Sequence, residues 1–149
     1  MLPCKPDVAT RQVDLQQGTV AFSANLQLQG CEAGGFQWTL GRISLPPDVL
    51  PATAMAAWQQ ASMAPMQARA QDAQPVDWWV AGALQSPQPV RLKVKTALHQ
   101  AQLGWFARGN KVYQLAVYGP AQAKGLDDTA DIYFSGIKLP GRAPSDNQI

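Results

Sequence analysis

The run from Arg91 to Ile137 constrains the fold more than any other part of the chain, because it spells out a strand, a Gly109-Asn110 turn, a second strand and a closing helix in one stretch. Val112, Gln114, Ala116 and Tyr118 alternate with Tyr113, Leu115 and Val117 at the period of a strand, and Gly-Asn accepts the positive φ angles of a two-residue hairpin turn. Across that turn Phe106 shares a face with Tyr113, and Trp105 shares the other with Gln114. Both faces are apolar, so the sequence predicts a covering layer on each side of the sheet. Leu126, Ala130, Tyr133 and Ile137 form one face of a helix, and Asp127 and Asp128 suit its N-terminus electrostatically.

The N-terminal segment reads as a hairpin: a strand from Val8 to Leu15, a turn at Gln16-Gln17-Gly18, and a second strand carrying Val20, Phe22, Ala24, Leu26 and Leu28. Phe36, Trp38, Leu40, Ile43 and Leu45 continue as a third strand that Pro46-Pro47 stops. Pro51 fits the first turn of a helix over 52–70, in which Met55, Trp58, Ser62 and Met66 lie near one face and Pro65 kinks or ends the helix. Residues 71–75 read as a linker, and Trp78 to Gln85 as a fourth strand. Val90, Leu92, Val94, Thr96 and Leu98 make a fifth, with Arg91, Lys93 and Lys95 on its other face. After His99 the apolar positions switch from even to odd numbers. Because His99-Gln100 lacks the Gly or Asn of a tight turn, the expectation is a β-bulge in one long bent strand. One α+β domain over residues 1–139 is expected, an α-β-α sandwich with an antiparallel meander, followed by a flexible tail over 140–149.

The charge balance, 12 Lys and Arg against 10 Asp and Glu, is too even for a nucleic-acid footprint. No run approaches the roughly 18 apolar residues of a membrane helix, so no transmembrane segment is expected. Cys4 and Cys31, the only cysteines, sit where the N-terminal hairpin brings its ends together. A disulfide follows, which would restrain the unfolded chain by about 3 to 4 kcal/mol on the loop-entropy model. The alternatives are two buried thiols, or a lipid-bearing Cys4, for which Leu2-Pro3 is a poor approach. An exported, periplasmic protein whose signal segment is replaced by Met1 fits better.

Trp105 to Leu115 and Ala130 to Leu139 resemble the closing hairpin and helix of bacterial envelope members of the PsbP-like superfamily, and the resemblance is strongest over residues 101–139. It implies an α-β-α sandwich and a non-enzymatic role in binding or assembly with another envelope protein. It carries over no catalytic residue and no cofactor.

Reading the residues for chemistry leads the same way. His99 is the only histidine, which excludes a His-based metal cluster, and no cysteine or carboxylate is spaced as a ligand set. Asp127, Asp128 and Asp131 lack the alternation and glycine of a calcium loop. Two binding candidates remain. The Arg91, Lys93, Lys95 ladder suits a weakly bound anionic partner, and Trp79 suits an exposed anchor, since adjacent indoles at Trp78 and Trp79 point to opposite faces of a strand. The competing reading is a carrier of a small hydrophobic ligand held between helix and sheet near Met55 and Trp58.

Overall fold

A computed structural model describes residues 2–137; the expected tail over 140–149 lies outside the described residues. The chain runs β1 (Asp7–Gln17), β2 (Val20–Ala33), β3 (Phe36–Ser44), α1 (Pro51–Met63), β4 (Ala73–Val76), β5 (Val90–Lys95), β6 (His99–Arg108), β7 (Lys111–Pro120) and α2 (Leu126–Ser135). All seven strands form one antiparallel sheet in the order β1-β2-β3-β7-β6-β5-β4.

The expected α-β-α sandwich is not the architecture. Strand makes up 47% of the described residues and helix 21%, and the two helices are too short to form layers over a seven-stranded sheet. The two-sided apolarity of β6 and β7 is satisfied piecemeal. On one face Leu103, Trp105, Val112 and Ala116 pack with Met55 and Trp58 of α1 and with Leu15 and Ala24 of the N-terminal hairpin. On the other, Phe106, Tyr113, Leu115 and Val117 pack with Leu126, Tyr133 and Phe134 of α2 and with Val80 and Ala83 of the loop before β5. Loop residues therefore complete the cover that the sequence assigns to helices.

The hairpins form where their turns allow. Arg108 pairs with Lys111 around Gly109-Asn110, and only Gly109 takes a positive φ, of 60°. Gln17 likewise pairs with Val20 around Gly18-Thr19, with Gly18 at φ 61°. A glycine at the first central position alone is the signature of a type II′ turn. α1 begins at Pro51 and stops at Met63, earlier than the expected 52–70, because Pro65 diverts the chain into a 3₁₀ turn closed by Gln67 at φ 53°.

Two strand assignments from sequence are corrected. Trp78 to Gln85 is not a strand; the fourth strand is Ala73–Val76, which overlaps the expected linker over 71–75. The Trp78 indole instead donates to Phe134 O at 3.1 Å and meets the rings of Phe106 and Phe134 edge-on. Gly104 makes room for this: a Cβ there would lie 2.6 Å from both Trp78 and Phe134. Nor is there a bulge at His99. β5 and β6 are separate strands of a hairpin in which Lys95 pairs with Gln100. The turn needs no glycine because Thr96 closes it, its N–H donating to His99 O at 2.9 Å and its hydroxyl accepting from His99 N at 3.1 Å.

Candidate functional site

The cation ladder on β5 faces α2 and is largely consumed by it. Arg91 is buried, and its Nε and Nη2 donate to Gln102 Oε1 at 2.8 and 2.6 Å. Nη2 also reaches Asp131 Oδ1 at 2.6 Å, and the guanidinium lies 4.4 Å from the centre of the Phe134 ring. Lys93 Nζ pairs with Asp127 Oδ2 at 2.5 Å, while Gln102 Nε2 donates to Asp127 Oδ1 at 2.9 Å. The hydrogen bond from Lys93 is the chief reason the Asp127 carboxyl is held below its ordinary range. Only Lys95 remains exposed. The expected continuous anionic-partner face is thus an internal clamp between β5 and α2. Asp127 and Asp128 lie in the first turn of the helix, where the sequence puts them, although the N-cap is Gly125 without a side-chain bond. A signal was present: acids four apart on a helix advance about 6 Å, close to the roughly 6.8 Å between alternate strand residues.

Trp79 is 71% exposed while Trp78 is partly buried against the core, but both lie on a loop, so the strand alternation from which a division was expected is absent. Cys4 and Cys31 form the disulfide pair, with Cα atoms 6.0 Å apart. The site expected for a hydrophobic ligand is filled: Met55 and Trp58 are packed among Leu103, Trp105 and Met66. Gln114 fixes α1 there by donating to Ser62 Oγ at 2.7 Å.

His99 lies between two open hollows, of about 510 Å³ beside Arg69 and Asp72 and about 370 Å³ beside Glu32 and Tyr118. Asp72 is occupied with Arg69, accepting from its backbone N–H at 2.9 Å. Burial pushes the Tyr118 hydroxyl up to about 12. Among the described residues, no group of three or more His, Cys, Asp or Glu is placed to hold a metal ion.

The surface that sequence reasoning missed is an edge of the sheet. β4, at one edge, is four residues long and contains Pro75, two devices that blunt an edge against further pairing. β1, at the other, is eleven residues long, has neither proline nor lysine, and is exposed over most of its length. Because a two-residue turn closes on a hydrogen-bonded pair, Ala9, Arg11, Val13, Leu15 and Gln17 bond to β2. The backbone N–H and C=O groups of Val8, Thr10, Gln12, Asp14 and Gln16 consequently point away from the sheet. The sequence indicates a strand from Val8 to Leu15 and assigns Gln16 and Gln17 to the turn; the structure extends β1 over Asp7–Gln17, and its place at the edge depends on β3 pairing with β7.

The chain matches no family model, no curated protein and no solved structure.

Proposed function

We propose that this protein is a non-enzymatic binding or assembly module of the bacterial envelope, which receives an extended segment of a partner protein along β1. The observation that carries this reading is the contrast between the two edges, one short and proline-bearing, the other long and open. Strand addition uses such an edge, drawing affinity from main-chain hydrogen bonds and specificity from alternate side chains. The Cys4–Cys31 pair, and the lack among the described residues of a helix long and apolar enough to cross a membrane, are compatible with export. Trp79, exposed on the loop between β4 and β5 and so toward the opposite side of the sheet from β1, is a separate candidate contact.

The test is a proline at an outward-facing position. Gln12→Pro removes one N–H from the open edge without breaking the ladder to β2. With the melting temperature retained, this variant is expected to lose an envelope partner that the wild type binds, while that partner protects the amides of Thr10, Gln12 and Asp14 from hydrogen exchange in the wild type. Undiminished binding by a folded Gln12→Pro protein overturns the assignment of the surface.

A further inference from the structure

The open edge carries a sequence that complements itself. Within β1, Asp7-Val8-Ala9-Thr10-Arg11 has opposite charges at its ends, β-forming residues inside them and a small residue at its centre, and all five side chains are exposed. We infer that the occupant of this edge is a second copy of the chain, paired antiparallel through residues 7–11 about a two-fold axis at Ala9. This deepens the strand-addition reading and rests on it.

The geometry decides the register. A two-fold axis perpendicular to the sheet keeps faces matched, so odd residues oppose odd and even oppose even. Centred on Ala9, Val8 of each copy opposes Thr10 of the other, and these are the residues whose backbone groups point outward. They form the hydrogen-bonded pairs of the new ladder. Asp7 then opposes Arg11 twice, at non-hydrogen-bonded positions where side chains approach most closely. Ala9 meets its copy on the axis, where a small side chain suits the close approach. Pro6, at the next outward position, has no N–H and ends the ladder.

The charges select this register against its neighbours. Centring on Arg11 or Asp14 sets like charges face to face, and centring on Gln12 lengthens the ladder but places the two Arg11 side chains diagonally on one face. The charges are also uncommitted. Among the described residues Asp7 and Arg11 have no ion-pair partner, whereas Asp14 accepts from Ser23 Oγ at 2.5 Å and Arg42 is bound to Gln27. So short a ladder gives a weak, salt-sensitive dimer.

Charge reversal and crosslinking test it together. Sedimentation equilibrium at low salt is expected to show a concentration-dependent dimer that Asp7→Arg or Arg11→Asp alone weakens about ten-fold or more. The double reversal, Asp7→Arg with Arg11→Asp, restores it. Ala9→Cys should crosslink across the axis under mild oxidation, and Gln12→Cys should not. A chain monomeric at every concentration, a double reversal that fails to restore pairing, or crosslinking at residue 12 in place of residue 9 overturns the inference. Strand addition by a different chain is judged separately: a heterologous partner that still protects the Thr10 and Gln12 amides of a monomeric protein leaves that reading standing.

Discussion

Arg91 and Asp131, forty positions apart in sequence, meet at 2.6 Å, and this contact fixes α2 to β5. The two partners differ in environment, with Arg91 6% and Asp131 66% exposed. Their substitutions should therefore differ in cost. Arg91→Met strands the buried Gln102 carbonyl and is expected to destabilise the fold by about 2 to 3 kcal/mol. Asp131→Asn leaves Arg91 bonded to Gln102 and should cost less than about 1 kcal/mol. Urea denaturation of the two variants measures the difference; equal costs would show that Gln102 is not the dominant partner.

Asp127 gives the clamp an acid limb. Lys93, the main cause, and Gln102 lower the carboxyl below its ordinary value of 3.8, against an opposing effect of burial. A group whose folded value is depressed contributes stability above its unfolded value and loses it as pH falls through the folded one. Wild type should therefore exceed Asp127→Asn in stability at pH 6, and the two should converge below pH 3.8 as the carboxylate is protonated. Parallel stability curves across that range would remove Asp127 from the clamp.

Two glycines are expected to resist substitution for different reasons. At Gly104 an added methyl meets Trp78 and Phe134 at 2.6 Å, so Gly104→Ala should cost about 1 to 3 kcal/mol through overpacking. At Gly109 the obstacle is the backbone, whose φ of 60° a β-branched residue resists, and Gly109→Val should cost about 1 kcal/mol or more. Thermal melts of both proteins check the values, and a change of near-ultraviolet circular dichroism confined to Gly104→Ala would locate its effect at the aromatic cluster.

The Cys4–Cys31 link closes a loop spanning 27 positions, for which chain entropy gives about 3 to 4 kcal/mol. Cys4→Ser should lower the denaturation midpoint accordingly, and alkylation of the native, non-reduced protein should modify neither cysteine. Two alkylated thiols in native protein would contradict the link.

What was legible in the sequence was local. The hairpins around Gly18 and Gly109, the start of α1 at Pro51 and its disruption by Pro65 depend on a few adjacent residues whose backbone preferences admit one outcome. Most of the failures involve partners distant in sequence; the turn at Thr96 and His99, three residues apart, is the local exception. Trp78 to Gln85 has strand-like composition, yet Trp78 is drawn out of a ladder by Phe134 and Leu84 donates to Ala107 O. Thr96 replaced glycine chemistry with a side-chain bond. The β5 cations looked like a solvent face because the acids that neutralise them come from a helix whose docking no local pattern specifies. The candidate edge was hidden for the same reason: being outermost is a property of the whole sheet.

The join between β3 and β7 has a consequence for how the molecule comes together. On either side of it the strands are chain neighbours, β1-β2-β3 and β4-β5-β6-β7, and each group can zip up hairpin by hairpin. The join itself pairs Gln37 with Tyr118 and Ser44 with Lys111, contacts that no segment shorter than the intervening chain can make. Closing so long a loop is an entropic cost met only after much of the sequence exists, so this seam is expected to form late in folding.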